Sequence, residues 1–223
     1  MPAILLQILL TPALTALVIF LTRRRRGQVA GWIAALSLFY TTCLAVLVTI
    51  DVYRGDVVFE EYLVIAPGIG LRLLADGLSA PTLAVILLLC TALAVYSIRY
   101  VEHRTEILYH SESTHAQAGY HARFFTLLLF FPAGFIGTIL STNLVAVYFF
   151  MEVLTITLFF LMAFFGYRER VRVAFVSLAW GIIGALLFLA ATLMVYSRIG
   201  SLEIAHLSQM AGAPTVVWAI ALF

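Results

Sequence analysis

One acidic residue lies inside a long apolar segment of this sequence. Glu152 is the only acidic residue deep within any of the six longest apolar runs. An ionisable side chain at that depth costs at least about 2.5–3.5 kcal/mol on membrane-insertion scales, so it usually faces protein, water or a partner charge. The residue type and its setting therefore predict a carboxylate that takes up and releases a proton or a cation.

Two polar side chains are predicted on the same face of the helix as this carboxylate. Tyr148 precedes Glu152 by four residues and Thr155 follows it by three, and residues at these spacings are neighbours on a helix. Desolvation raises the pKa of a carboxyl group and a nearby cation lowers it, so a carboxyl group under both influences can take up and release a proton. We predict that Glu152 is a proton relay supported by Tyr148 and Thr155. The alternative is a buried glutamate that only holds helices together by hydrogen bonds.

The composition indicates that the segment around Glu152 crosses a membrane. Of the 223 residues, 64% are apolar and 11% are charged, whereas a soluble domain has about 45–50% and about 25%. A soluble chain of this length would need more polar residues to cover its surface. The composition therefore excludes a soluble domain, a disordered chain and a disulfide-rich module, and predicts a polytopic membrane protein.

Six apolar runs are long enough to span a bilayer as helices, since a span needs about 20 residues for a hydrocarbon core of about 30 Å. The predicted fold is an all-α membrane bundle, treated as one transmembrane domain over residues 1–223. The nine residues 215–223 reach only about 14 Å and are predicted to start a seventh helix. The six predicted spans are residues 4–21, 29–50, 82–98, 124–140, 144–165 and 173–196.

The arginines predict the orientation of the helices. All thirteen basic residues are Arg, and ten of them follow the first, third or fifth predicted helix. Cytoplasmic segments are enriched in basic residues, so we predict a multi-pass protein of the cytoplasmic membrane with its N-terminus outside. The ten are Arg23, Arg24, Arg25, Arg26, Arg99, Arg104, Arg123, Arg168, Arg170 and Arg172, and the other three are Arg54, Arg72 and Arg198.

The segment between the second and third predicted helices is expected to hold a β-hairpin. Residues 57–65 and 70–75 are rich in β-branched and aliphatic residues, and the Pro-Gly pair at 67–68 favours a turn between them. The Asp-Gly pair at 76–77 predicts a second turn, after which Ser79 is expected to cap the third helix. Gly200 is predicted to end the sixth helix, and residues 202–207 are predicted to form a short interfacial helix.

Glycines and a proline mark two of the predicted helices. Pro132 lies near the middle of the fourth helix, followed by Gly134 and Gly137, while Gly181 and Gly184 lie in the sixth. Glycine permits close approach of helices, so we expect these positions to serve packing. The alternative for the fourth helix is a proline kink that opens a water path beside the membrane glutamate.

The histidines and cysteines do not form a recognisable metal motif. His103, His110, His115 and His121 are separated by 7, 5 and 6 residues, which are not the spacings of metal sites. We expect a solvated or partner-facing loop over residues 100–122, with a metal-binding or proton-collecting role as the alternative.

No cofactor is expected on this chain. Cys43 and Cys90 lie in separate apolar runs and are expected to be small packing residues. Motifs for a nucleotide, a flavin, an iron–sulfur cluster or a metal do not occur in the sequence. A net charge of +2 predicts no affinity for nucleic acid.

The segment that ends at Glu152 resembles a known family. The run Tyr-Phe-Phe-Met-Glu at 148–152, preceded by Ser-Thr-Asn-Leu at 141–144, resembles the fifth helix of the antiporter-like subunits of respiratory complex I. The same fold serves subunits of multisubunit cation/proton antiporters and of energy-converting hydrogenases. Asp-Gly-Leu-Ser at 76–79, Tyr-Ser at 96–97 and Gly-Ser-Leu at 200–202 are similar to further landmarks of the family. The resemblance covers the whole chain but only the first half of a typical member.

The resemblance implies a role and a missing partner for Glu152. In the family, the corresponding glutamate pairs with a lysine on a seventh helix that breaks in mid-membrane. This sequence contains no Lys and ends at Phe223. We therefore expect a second polypeptide, or a continuation of the chain, to finish the seventh helix and to bring a Lys near Glu152.

The resemblance also implies the setting in which the chain works. We expect a proton- or sodium-translocating membrane subunit of a redox-driven, complex I-like oxidoreductase of the NADH-quinone or hydrogenase type, with its redox centres in other subunits. The expected partners are other membrane subunits and the lipid bilayer. Two alternatives remain open: a module of a multisubunit cation/proton antiporter, and a structural membrane subunit that conducts no ions.

Overall fold

The computed structural model of the chain describes residues 3–26, 29–66, 69–108 and 114–210. Within these ranges it contains six α-helices, one β-hairpin and one short 3₁₀-helix. The helices are α1 (Ile4–Arg26), α2 (Ala30–Tyr53), α3 (Ser79–Leu108), α4 (Thr114–Leu140), α5 (Leu144–Phe165) and α6 (Arg170–Ile199), the strands are β1 (Val58–Ala66) and β2 (Ile69–Ala75), and the 3₁₀-helix is Ile204–Met210.

Each of the six α-helices contains a stretch that is long and apolar enough to cross a membrane. The predicted all-α bundle with six membrane spans is therefore confirmed. The predicted start of a seventh helix at residues 215–223 lies outside the described residues. The six stretches are Ile4–Thr22, Ala30–Tyr53, Ser79–Arg104, Gly119–Leu140, Leu144–Phe165 and Arg170–Ile199.

The ends of the third and fourth helices were predicted wrongly. The third was predicted over residues 82–98, but α3 runs over Ser79–Leu108; the fourth was predicted over 124–140, but α4 runs over Thr114–Leu140. Hydropathy marks only the part of a helix that lies in hydrocarbon, whereas the backbone hydrogen bonds continue into the polar flank. Most of the polar loop predicted at residues 100–122 is therefore helical where it is described.

The chain divides into two compact units. Unit 1 contains Met1–Val58 and Ala75–Ile136, and unit 2 contains Phe59–Leu74 and Gly137–Phe223. The single transmembrane domain over residues 1–223 stays a prediction, since two such units can belong to one domain.

Hydroxyl pairs and close approaches join the helices of unit 1. The Thr15 and Ser37 hydroxyls lie 2.9 Å apart between α1 and α2, and those of Thr42 and Thr91 lie 2.9 Å apart between α2 and α3. A Cβ built on Gly31 of α2 would lie 2.9 Å from side chains of α3 and α4. Small residues and hydroxyl groups are the usual means of helix association in membranes, so these contacts fix α1 to α3 as a scaffold.

The start of α3 differs in detail from the prediction. The turn at Asp76 and Gly77 is confirmed, but Asp76 rather than Ser79 is the capping residue. The Asp76 carboxylate accepts hydrogen bonds from the backbone N–H groups of Leu78 (3.0 Å) and Ser79 (2.7 Å), and the Ser79 hydroxyl accepts one from the Asp76 N–H (2.8 Å). The hydrogen bonds from Ser79 hold the pKa of Asp76 below its usual range.

In unit 2, α5 and α6 pack side by side. Leu144 of α5 and Val195 of α6 are buried, and the partly buried Phe188, Ile199 and Leu207 pack against them. At the other end, the Arg170 guanidinium donates a hydrogen bond of 3.0 Å to the Phe164 carbonyl. This bond satisfies one of the carbonyls that the end of α5 would otherwise leave unpaired.

The glycines predicted to serve packing behave differently. A Cβ on Gly137 would lie 2.2 Å from the Phe150 ring, and one on Gly181 would lie 2.6 Å from the Thr155 methyl group. These two positions therefore need glycine. A Cβ on Gly184 would meet nothing within 4 Å, so the packing role predicted for Gly184 is wrong within the described chain.

The chain after α6 turns as predicted but forms a different element. Gly200 adopts a left-handed conformation with φ +70°, and its N–H donates to the Tyr196 carbonyl at 2.8 Å. This is the predicted glycine C-cap. The short helix predicted at residues 202–207 is instead a 3₁₀-helix over Ile204–Met210, because Leu202 and Glu203 form backbone contacts with the start of α5.

Candidate ion-relay site

The helix that carries Glu152 has a well-defined beginning. The Asn143 side chain accepts a hydrogen bond of 2.9 Å from the Val145 N–H and so caps α5. Glu152 is the ninth residue of α5, which places it about 12 Å along the helix axis from Leu144. The carboxylate therefore lies well inside the span Leu144–Phe165.

The structure brings two of the three predicted site residues together. The Tyr148 side chain lies beside the Glu152 carboxylate, one helical turn before it on α5. The Thr155 hydroxyl donates instead to the Met151 carbonyl at 3.1 Å, and its methyl group faces Gly181 of α6. All three side chains are half-buried. Tyr148 is thus the polar neighbour of Glu152, whereas Thr155 fixes the packing of α5 against α6.

The described residues leave space at the level of Glu152. A turn of four residues joins α5 and α6, so they run antiparallel, and Thr155 contacts Gly181. Glu152 lies three residues before Thr155 and Gly184 lies three after Gly181, which places them at one level. Since a Cβ on Gly184 would meet none of the described residues within 4 Å, this part of the chain leaves room there for a further side chain, an ion or a water molecule.

The surfaces of α5 and α6 are largely uncovered by the described chain. Only 11% of the most apolar stretch of each helix is buried, compared with 39% in α1, 44% in α2 and 28% in α3. Phe149, next to Tyr148 on α5, is 61% exposed. The helix that carries the ionisable residue is thus among the least enclosed.

A second polar cluster in unit 2 was not predicted from the sequence. The Arg72 side chain on β2 lies 2.9 Å from the carboxylates of both Glu61 and Glu203, through its Nε and its Nη1. The pKa of Arg72 is raised above its usual value. The largest cause is the hydrogen bond to Glu61, and the negative charges of Glu203 and Glu61 are smaller causes. Arg72 and Glu203 are 131 residues apart, and no local spacing rule can indicate such a pair. The Asn143 cap, in contrast, could have been found, since Asn directly before an apolar helix is a known start signal.

The histidines and cysteines add no further site among the described residues. His103 is exposed, the side chains of His110 and His115 lie outside the described residues, and no group of three or more His, Cys, Asp or Glu in the described part could hold a metal ion. Cys43 is exposed on α2 and Cys90 is half-buried. The packing role predicted for Cys43 is therefore wrong within the described residues.

Comparison with known proteins agrees with the membrane-helix fold. A sequence profile of the family described as NADH:quinone oxidoreductase/Mrp antiporter, TM, matches residues 141–223. The antiporter subunit mnhD2 of Staphylococcus aureus strain JH9 is 24% identical over 200 residues, which cover 90% of this chain and 37% of the relative. The chain thus spans well under half of that protein.

Two solved structures share the fold. The Mrp complex from Dietzia sp. DQ12-45-1b superimposes with a TM-score of 0.77 and 21% identity, over 98% of this chain and 22% of the matched one. The membrane-bound sulfane sulfur reductase, an archaeal respiratory membrane complex, gives a TM-score of 0.74 and 20% identity, over 98% of this chain and 42% of the matched one.

The fold and the membrane spans define a multi-pass membrane protein with the helix arrangement of antiporter-type subunits. The resemblance predicted from the sequence is confirmed by the family profile and by these relatives. The chain is therefore similar, in sequence and in fold, to antiporter-like membrane subunits of the Mrp and complex I type.

Proposed function

We propose that this chain takes part in moving protons or cations across the cytoplasmic membrane, with Glu152 as the relay group. The observation that carries the proposal is a half-buried carboxylate inside a membrane span, with the Tyr148 hydroxyl side chain beside it. Tyr148 can donate to the ionised carboxylate or accept from the protonated acid, so the pair can hold a proton in either state. Thr155 supports the site by packing α5 against α6.

Other membrane helices are proposed to complete the site. Among the described residues, the uncovered surfaces of α5 and α6 and the space beside Gly184 leave room for a helix that brings a cation near Glu152. A cation within about 4–6 Å would favour the ionised carboxylate. The helices come from a continuation of this chain or from neighbouring subunits, as the multisubunit complexes with the same fold suggest.

Two energy sources fit the proposal. A redox-driven complex is supported by the likeness to an archaeal respiratory membrane complex. A cation/proton antiporter is supported equally by the relative named as an antiporter subunit. Purification of the native complex separates the two: soluble iron–sulfur subunits would copurify in the first case and would be absent in the second.

The orientation is proposed from the arginines, with the turn between α5 and α6 in the cytoplasm. A cysteine introduced beside Arg170 should resist labelling from outside sealed cells and should react after the cells are opened. Ready labelling in sealed cells would contradict the proposed orientation.

Substitution of Glu152 tests the relay directly. In the native complex, Glu152→Gln should lower ion flux by about 100-fold or more, because the amide cannot exchange a proton. The control is Glu169→Gln, which removes the same charge from an exposed position directly before α6 and should leave the flux unchanged. Normal flux with Glu152→Gln would favour the structural, non-conducting subunit.

A further inference from the structure

The chain segments before α5 and after α6 are joined to each other and to the β-hairpin. The Leu144 N–H donates to the Leu202 carbonyl at 3.0 Å, and the Ile204 N–H donates to the Thr142 carbonyl at 2.9 Å. On the other side, the Thr142 N–H donates to the Arg72 carbonyl at 3.2 Å. Residues 141–143 are therefore held between β2 and residues 202–204.

A single side chain connects the two flanking segments. The Arg72 guanidinium starts on β2 and reaches Glu203, which forms an antiparallel bridge with Asn143. The ion pair thus joins the elements on both sides of residues 141–143. Those residues lead directly into α5, whose cap is Asn143.

The two ion pairs of Arg72 differ in their exposure to solvent. The side chain of Arg72 is 28% exposed and that of Glu203 is 13% exposed, whereas that of Glu61 is 40% exposed. Exposed pairs are screened and contribute little, while less exposed pairs are screened less. Glu203 should therefore be the partner that matters, and Glu61 offers a matched control on the same guanidinium.

We propose that Arg72 is a positioning residue for Glu152, because its ion pair with Glu203 clamps the start of α5 and so fixes where the carboxylate lies along the membrane normal. The inference rests on the proposed relay role of Glu152. The backbone hydrogen bonds of a helix keep a fixed rise of 1.5 Å per residue. A shift of its first residue along the axis therefore moves the residues that follow with it. A loosened clamp would therefore move Glu152 relative to Gly184 and to the helix proposed to bring a cation.

The surroundings of Glu152 make its protonation a suitable readout. Tyr148 is the other titratable side chain of α5, and the part of α4 in unit 2 carries none. The titratable side chains of α6 are near its two ends and are Arg170, Arg172, Tyr196 and Arg198. A shift in the titration of Glu152 would thus indicate that its position has changed, rather than that a nearby charge has changed.

The test uses the native complex and a hydrophobic carbodiimide, dicyclohexylcarbodiimide, which modifies protonated carboxyl groups in membranes. The rate of Glu152 modification is measured by mass spectrometry as a function of pH, which needs no transport. Arg72→Met and Glu203→Gln should each shift the midpoint by about 0.5 pH unit or more, in the same direction, and the pH profile of ion flux should shift with it. Glu61→Gln should leave both unchanged.

Comparison of Arg72→Met with Glu203→Gln distinguishes a clamp from a direct effect of charge on Glu152. Removing the Arg72 cation would raise the pKa of a distant carboxyl group, and removing the Glu203 anion would lower it. Shifts in opposite directions would therefore overturn the proposal, as would unchanged midpoints in both variants.

Assembly defects do not prevent the test. If Arg72→Met reduces assembly, Arg72→Lys keeps the charge but cannot reach both carboxylates as a fork, and it should shift the midpoint in the same direction as Glu203→Gln. An unchanged midpoint in Arg72→Lys and Glu203→Gln would then overturn the proposal. Failure of the relay itself would appear separately, as normal flux in Glu152→Gln.

Discussion

The helices α1 to α3 of unit 1 and the helices α5 and α6 of unit 2 handle polar groups in opposite ways. In unit 1, neutral hydroxyls pair between helices, as Thr15 does with Ser37 and Thr42 with Thr91. In unit 2, the ionisable Glu152 has its polar neighbour, Tyr148, on its own helix. The hydroxyl pairs hold neighbouring helices together, whereas Tyr148 and Glu152 belong to one helix and join it to no other.

The helices α1 to α3 are also more deeply buried within the chain than α5 and α6. Between 28% and 44% of the apolar stretches of α1 to α3 is buried within the chain, against 11% in α5 and in α6. A hydrogen bond between membrane helices contributes on average about 0.6 kcal/mol, whereas an uncompensated charge costs at least about 2.5–3.5 kcal/mol. The comparison teaches that α1 to α3 are the more enclosed helices, joined by their own hydroxyl pairs, and that the α5–α6 surface is suited to receive further helices.

The largest effect on stability is expected at the close contact between Gly137 and Phe150. Gly137→Ala places a methyl group 2.2 Å from the ring, and overpacking of this kind costs about 1–3 kcal/mol. Thermal unfolding of the purified protein should therefore shift to lower temperature. Gly184→Ala is the matched control in the same unit and should leave the unfolding temperature unchanged. Equal stability of the two variants would show that the contact at Gly137 is relaxed.

A smaller effect is expected at the start of α3 in unit 1. Asp76→Ala removes the acceptor of two backbone N–H groups and should cost about 1 kcal/mol. The hydrogen bonds from Ser79 hold the pKa of Asp76 below its usual range in the folded protein, so the stabilisation by the charged cap is present above the usual pKa of an aspartate and is lost as the pH falls through the lowered value. Unfolding measured at neutral and acidic pH should show the variant and the parent converging in acid.

The smallest effect is expected for a hydroxyl between the scaffold helices. Thr42→Val removes the hydrogen bond to Thr91 and should destabilise the protein by about 0.6 kcal/mol. Because Thr42 belongs to the scaffold, ion flux per assembled complex should stay at the parental level. A large loss of flux in this variant would contradict the assignment of a scaffold role to unit 1 and of the relay to unit 2.

The membrane spans could be predicted from the sequence because about 20 apolar residues in a row have few other structural solutions. The hairpin was predicted correctly in place, from the turn at residues 67–68 and the β-branched residues around it, and the structure has strands Val58–Ala66 and Ile69–Ala75. The polar ends of α3 and α4 were not predicted, since hydropathy does not report helix that continues outside the hydrocarbon.

The site could be predicted only in part. Glu152 and Tyr148 were found together because helix periodicity fixes the neighbours of a residue four positions away. The contact of Thr155 with Gly181 depends on how α5 packs on α6, and the Arg72–Glu203 pair depends on a fold that joins residues 131 positions apart. Tertiary contacts of this kind are set by the whole chain and leave no local pattern.

The structure of the intact membrane complex tests most directly whether the α5 surface around Glu152 is completed by other protein. We expect the carboxylate to face a helix from outside residues 3–210, with a lysine or arginine within about 4–6 Å and with Tyr148 beside it. Lipid acyl chains packed against the Glu152 carboxylate, with no helix in contact, would contradict both the relay and the completed site.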